Sequence, residues 1–488
     1  MFEAAELQRK TTKADFDTAI PELRSRLLAA QRALRETKTA VVIVVSGVEA
    51  AGKSEVVNRL TEWVDARGVE THAFLRDSDE ERERPRYWKF WRALPKRGTI
   101  GILFGSWYTQ PIVDRVFKRT RPADLDRELQ RIAFFERMLA LDGVLFIKLW
   151  FHISKDEQRK RLAADANGPD VKQYTKMYDR FAEVSERAIR MTDTAEAPWR
   201  IIEATDRKYR DLTAGRILLE ALEDIVKQEK PVAAKKGSAH LDEGPELTDP
   251  KQTVLDRTDL TQKLDDEEYD RKLARAQKVV ARAAWKAWNQ RRSAVILFEG
   301  WDAAGKGGAI RRLVGPIDAR INQIISVAAP TDEERAHHYL WRFWRHLPRA
   351  GKITIYDRTW YGRVLVERVE GFARPDEWAR AYREINDFEE QLVESGIVLL
   401  KFWLHIDEEE QLRRFHEREQ IDYKKHKITD EDWRNREKWN AYKLAVHDVI
   451  NRTSSSFAPW HVVAANDKKF ARVEVVRTVG KALESALR

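Results

Sequence analysis

The sequence contains no cysteine. That excludes disulfides, thiol catalysis and cysteine-ligated zinc, and it suits a reducing compartment. It also lacks any apolar run of the ~18 to 20 residues that a membrane-spanning helix requires. The opening residues, Met1 to Leu7, show no basic head followed by an apolar core, so no secretory signal is expected. A cytoplasmic location away from membranes is the resulting expectation. No Asn-Lys-x-Asp run is present, which argues against a guanine-nucleotide switch. His337 and His338 are adjacent, a poor arrangement for sharing one metal, and receive no role.

What is present is a mildly basic chain of 488 residues, with 43% hydrophobic residues and a net charge of +9. The hydrophobic share is enough for large cores. The charge favours a polyanionic partner, yet the same excess spread over the whole chain describes an ordinary solvated surface. The placement of the cations must decide.

The chain repeats itself. Residues 41–60, VVIVVSGVEAAGKSEVVNRL, align with residues 294–313, AVILFEGWDAAGKGGAIRRL, and the first glycines, Gly47 and Gly300, are 253 apart (300 − 47). The same offset relates Phe90-Trp91-Arg92 to Phe343-Trp344-Arg345, Trp107-Tyr108 to Trp360-Tyr361, and Lys148 and His152 to Lys401 and His405. It becomes 261 (458 − 197) by Ala197 and Ala458. Eight net residues therefore enter the second copy between His405 and Ala458. The expected organisation is a domain over residues 1–228, a Pro- and Gly-containing linker at 229–251, and a second domain over 252–488.

Each copy carries a helix, an apolar strand, a glycine-rich turn and a second helix. Further short apolar runs follow at Thr99–Phe104, Gly143–Phe151, Ile353–Tyr356 and Ile397–Ile406. Continuous apolar strands between helical patterns predict an α/β fold, a parallel sheet covered by helices on both faces.

The turns carry the chemistry. Gly47-Val-Glu49-Ala-Ala-Gly52-Lys53-Ser54 satisfies the phosphate-loop pattern G-x-x-x-x-G-K-[ST], and Gly300-Trp-Asp302-Ala303-Ala304-Gly305-Lys306-Gly307-Gly308 satisfies it except at the last position. Glycines let successive backbone N–H groups face phosphate oxygens, the helix that follows adds its positive dipole end, and the lysine adds a point charge. Gly307 removes the hydroxyl that usually anchors magnesium, but Asp302 and Asp357, the latter at a strand end, offer two carboxylates in its place. Arg358 follows, able to meet phosphate oxygens as a fork. The first copy has Phe104-Gly105 where the second has Asp357-Arg358. It is therefore expected to be catalytically degenerate.

A basic stretch at about 411–452 includes Arg413, Arg414, Arg418, Lys424, Lys425, Lys427, Arg434, Arg436, Lys438 and Lys443, with Trp433 and Trp439 among them. Beside a phosphate loop this reads as a closing lid, because phosphoryl transfer needs cations around the moving group and exclusion of water. Glu417, Glu419, Asp430, Glu431 and Asp432 give the alternative of a solvated helix pair. The aromatics Trp341, Phe343 and Trp344 are expected in the core.

The combination G-x-D-A-A-G-K-G-G, Tyr356-Asp357-Arg358-Thr359-Trp360-Tyr361, and Arg363 with Glu367 resembles the polyphosphate kinase type 2 family; Tyr423-Lys-Lys-His-Lys-Ile-Thr429 is a looser match to its lid. The tandem arrangement resembles the subgroup that phosphorylates AMP to ADP. The resemblance implies a fold like that of thymidylate and adenylate kinases. It also implies Mg²⁺ dependence and inorganic polyphosphate and AMP/ADP as ligands, without nucleic acid or membrane. It places the loop aspartate at Asp302, the loop lysine at Lys306, the strand-end pair at Asp357-Arg358, and lid lysines at Lys424 or Lys425 and at Lys427. A polyphosphate-dependent kinase acting on nucleoside diphosphates, an ATP-dependent nucleotide kinase and a non-catalytic P-loop or nucleic-acid-binding protein are the rival readings. Monomer and homo-oligomer stay equally open.

Overall fold

A computed structural model describes residues 1–74, 76–164, 171–229, 252–420 and 430–487. The chain forms two compact units. One comprises residues 1–77, 89–237 and 331–341; the other comprises 78–88, 238–330 and 342–488. The two short segments, 78–88 and 331–341, are counterparts in the repeat, each opening on a capping box at Ser78 or Thr331.

The first unit holds a five-stranded sheet of β1 (Ala40–Gly47), β2 (Val69–Ala73), β3 (Ile100–Phe104), β4 (Val144–His152) and β5 (Trp199–Glu203), in the order β2-β3-β1-β4-β5. The second holds β6 (Ala294–Gly300), β7 (Asn322–Ser326), β8 (Ile353–Asp357), β9 (Val398–His405) and β10 (Trp460–Ala464), in the equivalent order β7-β8-β6-β9-β10. All neighbouring strands are parallel. The strands expected from apolar runs lie within about a residue of those found. Central strands β1 and β6 are buried along almost their whole length, as continuous Val/Ile/Leu runs require when helices cover both faces.

The order determines where the site lies. From central β1 the chain goes to the edge and back through β2 and β3, then crosses to β4 on the other side. Adjacent loops diverge at that reversal and open a crevice at the carboxyl ends of the strands. In both units the phosphate loop occupies that position.

Among the described residues no helix is long and apolar enough to cross a membrane. Phe343 and Trp344 are buried, and so is Trp341, in keeping with a core role.

Candidate active site in the second unit

The strand β6 delivers the chain into the loop at Gly300, whose φ is +148°. A Cβ there would lie 2.6 Å from the carbonyl oxygen of Leu404, so only glycine lets the loop leave the sheet against β9. Ala303 (φ 62°) and Gly305 (φ 107°) continue the curl, and the helix Lys306–Val314 begins directly after it. Nothing lies within 4 Å of a Cβ built on Gly305 or Gly307, so the concave face is open. Lys306 Nζ donates to the carbonyls of Gly300 (2.6 Å) and Trp301 (3.2 Å). The ammonium is thereby held across the loop.

Register brings the second component. Asp357, the last residue of β8, pairs with Phe298 of β6, two residues before Gly300. Arg358 follows with φ 62°, a left-handed conformation costing a non-glycine residue about 1–2 kcal/mol. That turn aims the guanidinium back over the loop, 3.6 Å from Asp302 Oδ1 and 3.9 Å from Glu431 Oε1. Asp302, Lys306, Asp357 and Arg358 line one cavity of about 580 Å³ with the loop glycines, Arg311, Arg414, Arg418, Lys468 and Arg472.

A third carboxylate, unanticipated from the sequence, lies beneath. Glu299 is buried, accepts a hydrogen bond from Thr359 Oγ1 at 2.7 Å, and has its pKa pushed up by burial, opposed by Thr359, Lys306 and Arg358. Its signal was the acid of Phe298-Glu299-Gly300, unusual in an otherwise apolar strand. Also missed was the support of Asp302. Asn435 Nδ2 donates to Asp302 Oδ2 (3.0 Å), the single hydroxyl proton of Tyr442 is shared between Asn435 Oδ1 (3.2 Å) and Glu370 (3.4 Å), and Lys438 donates to Glu370 (2.9 Å). This chain of polar side chains orients the carboxylate from behind. Trp301 stacks on Trp439 with centroids 3.7 Å apart.

The match to known proteins is extensive. The model of the Polyphosphate kinase 2 (PPK2) family matches residues 10–230 and again 263–488. The chain belongs to the polyphosphate kinase 2 family. A relative from Pseudomonas aeruginosa PAO1 named Polyphosphate:AMP phosphotransferase is 48% identical, covering 100% of this chain and 99% of its own length. One of the same name from Acinetobacter johnsonii is 38% identical over 94% of this chain and 95% of its own. The crystal structure of a P. aeruginosa PA01 protein described as a polyphosphate kinase 2 superposes with a TM-score of 0.89 at 47% identity, covering 100% of this chain and 99% of that one.

Within this family frame, not every expected residue reaches the cavity. Arg363 pairs with Glu367 (3.2 Å) and Glu377 (3.9 Å) and does not line it. The basic stretch divides. Arg414 is buried at the edge of the cavity and its guanidinium donates to the carbonyls of Ala303, Ala304, Ala465 and Asn466; it clamps the loop, its donors taken up by the backbone. Arg413, Arg434, Lys438 and Lys443 pair with carboxylates, in the manner of a solvated helix pair. Arg418 does line the cavity. Lys424, Lys425 and Lys427 lie outside the described residues. Cations that sequence reasoning missed come from the helix after the loop, Arg311, and from the last helix of the fold, Lys468 and Arg472, the latter two remote from any motif.

Asp302 and Asp357 fit a divalent cation by chemistry: two hard oxygen donors on one cavity wall beside the loop lysine. Among the described residues no cluster of three or more His, Cys, Asp or Glu side chains is arranged to hold a metal unaided. Two carboxylates leave the remaining coordination to water and phosphate oxygens, the usual arrangement for Mg²⁺ with phosphorylated substrates.

Proposed function

We infer that this chain is a polyphosphate:AMP phosphotransferase working in its second unit. The observation that carries the reading is the convergence of Asp302, Lys306, Asp357 and Arg358 on one cavity whose remaining walls supply Arg311, Lys468 and Arg472. Cations beyond the loop, set beside Glu417, Glu431 and Asp432, suit a donor with many phosphates accompanied by a divalent metal. The full-length relatives named for polyphosphate and AMP support the same choice.

In the reaction, a phosphate oxygen of AMP forms a bond to the terminal phosphorus of polyphosphate. The bond to the next bridging oxygen breaks, giving ADP and a chain one unit shorter. The attacking oxygen is already ionised, so orientation and charge neutralisation supply the rate, not a strong base. Lys306 and the loop N–H groups hold the transferring group, and Arg358 meets charge on its equatorial oxygens. The chain of Asn435, Tyr442, Lys438 and Glu370 keeps Asp302 facing the cavity. Mg²⁺, held by Asp302 and Asp357, would supply charge neutralisation between phosphates. A cytoplasmic location, the expectation from the cysteine-free sequence, suits this reading.

The test is turnover of AMP, ADP, GMP and GDP with polyphosphate in ATP-free buffer, with products identified, for wild type and Asp357→Asn. AMP should be converted to ADP, and the variant should lose about 10²-fold or more. Exclusive conversion of diphosphates, or no conversion of AMP until ATP is added to the same mixture, would overturn the assignment.

A further inference from the structure

The first unit keeps a cavity at the equivalent place, but its walls have changed character as a set. It measures about 1430 Å³, against about 580 Å³ for the loop cavity of the second unit. Asp357 and Arg358 become Phe104 and Gly105, Glu370 becomes Phe117, Lys438 becomes Met177 and Tyr442 becomes Phe181. Register supports the first of these: Phe104 pairs with Val45 as Asp357 pairs with Phe298. For the last two, counting back along the helices from Thr192 and Thr453 gives the match, since these threonines accept the same hydrogen bonds from Trp199 and Trp460. Phe104, Phe117, Met177 and Phe181 all line the cavity. Three members of the polar chain that orients Asp302, Glu370, Lys438 and Tyr442, have thus been replaced by apolar side chains.

The loop beside it is neutralised from within. Glu49 Oε2 lies 3.3 Å from Lys53 Nζ, and burial lowers the pKa of that lysine, opposed by Glu49. A Cβ on Gly52 would fall 1.7 Å from Arg210, which donates to Ala51 O (3.2 Å) and Glu55 (2.9 Å). The position that is open at Gly305 is covered here by a side chain of the unit itself. Beside the apolar wall the cavity keeps Lys53, Arg76, Arg161 and Arg207 together with Glu49 and Glu55, so its loop side is of mixed charge, and a polyanion finds the loop occupied at Gly52 and no strand-end carboxylate and arginine.

Two wall residues retain unmet hydrogen-bonding capacity. The indole N–H of Trp150, like that of its second-unit counterpart Trp403, and the Oε1 of Gln158 have no partner, although Trp150 and Gln158 are only 2% and 3% exposed. In the second unit the equivalent Gln411 Oε1 accepts from Arg436 at 3.2 Å. Buried polar groups are ordinarily satisfied; the unpaired acceptor at Gln158 is particular to this unit, whereas the unpaired donor at Trp150 is common to both, and both residues line the cavity beside its apolar wall. That demand matches a ring with an acceptor nitrogen and an N–H donor on its edge, stacked between aromatic side chains.

We propose that the cavity of the first unit binds an uncharged planar nitrogen heterocycle of the nucleoside type, without turnover. It is a second ligand site, independent of the reading of the second unit as the catalyst.

The full-length protein is photolabelled with 8-azidoadenosine and the labelled peptides are mapped. Label should appear in residues 104–117 or 175–181 and should be displaced by adenosine but not by tripolyphosphate. Met177→Lys, which restores the charge of the second copy, should reduce first-unit labelling tenfold or more. Val113→Trp, which fills the cavity from another wall, should do the same. Both variants should turn over AMP and polyphosphate within about twofold of wild type, which also shows that they fold. Labelling confined to residues 294–487, displacement by tripolyphosphate alone, or undiminished label in both variants would each overturn the proposal. Loss of AMP turnover in the wild-type preparation would instead count against the function proposed for the second unit.

Discussion

The two phosphate loops are nearly the same backbone holding different chemistry. Ala50 and Ala303 both adopt left-handed φ, 65° and 62°, as do Gly105 and Arg358, 74° and 62°. Lys53 and Lys306 bond to equivalent carbonyls. Deeper in the units the likeness is closer still. Lys148 donates to Glu136, Tyr108 and Thr192 O at 2.8, 3.1 and 2.6 Å; Lys401 donates to Glu389, Tyr361 and Thr453 O at 2.6, 3.1 and 2.6 Å. These buried networks hold sheet to helix in both copies, where loss of a partner strands a charge at a cost of several kcal/mol. Side chains that differ, Phe104 for Asp357 or Phe181 for Tyr442, face the cavities. The duplication therefore separates residues that build the unit from residues that act on a ligand. The turn at position 105 illustrates the distinction: glycine keeps the left-handed turn and drops the strained arginine, which has no purpose without a phosphoryl group to meet.

The largest expected effect is the asymmetry of the two lysines. Lys306→Ala should abolish turnover, a loss of at least ~10³-fold, because the loop loses its point charge on the transferring group. Lys53→Ala should leave turnover within a few-fold of wild type. Steady-state rates with AMP and polyphosphate measure both. Comparable losses in the two variants would break the division of labour.

A second contrast concerns pH. His405 and His152 are counterparts, both buried. His405 Nδ1 accepts from the indole N–H of Trp301 at 3.0 Å, and burial pushes its pKa down from 6.5 to about 4, with Lys443 adding to the shift. His152 faces the Glu6 carboxylate at 2.8 Å, which opposes the lowering by burial. For His405 the unfolded chain binds a proton near 6.5 while the folded unit resists it down to about 4. Its contribution is therefore complete above 6.5 and declines as pH falls from 6.5 to 4, by on the order of 3 kcal/mol. Denaturant midpoints of wild type should fall from pH 7 to pH 5 more than those of His405→Gln, whose amide oxygen can still accept from Trp301. Equal slopes would show that another group governs the acid side.

Much of this was legible in the sequence, for definable reasons. Strands β1 and β6 are continuous apolar runs, and the loops are short-range patterns in which glycine spacing and lysine position are dictated by the phosphate itself. Asp357 and Arg358 could be placed because a strand end beside the loop is a position that topology predicts. Residues that act from a distance were not legible. Arg311, Lys468 and Arg472 reach the cavity only because two helices, the one after the loop and the last one, meet there. Arg414 looked like a lid cation, and its burial against four carbonyls depends on packing that no local pattern records. Glu370, among loosely patterned polar residues, gave no sign that it ends a chain leading to Asp302.

That chain offers the smallest and sharpest test. Glu370 accepts from Lys438 and Tyr442, and Arg434 lies 3.2 Å away, yet it does not line the loop cavity. Its effect on chemistry must pass through Tyr442 and Asn435 to Asp302. Glu370→Gln keeps the size and an acceptor oxygen but removes the charge that holds Lys438, so Tyr442 and Asn435 lose part of their restraint. The expected outcome is about a tenfold fall in kcat, about 1.4 kcal/mol, with KM for polyphosphate nearly unchanged. The Mg²⁺ concentration for half-maximal rate should rise, because a less oriented Asp302 is a poorer ligand. A structural role alone would lower stability without moving the Mg²⁺ requirement. The equivalent change in the first unit, Phe117→Gln, should leave both kcat and the Mg²⁺ requirement as they are. A shift in either would mean that the first unit takes part in the chemistry.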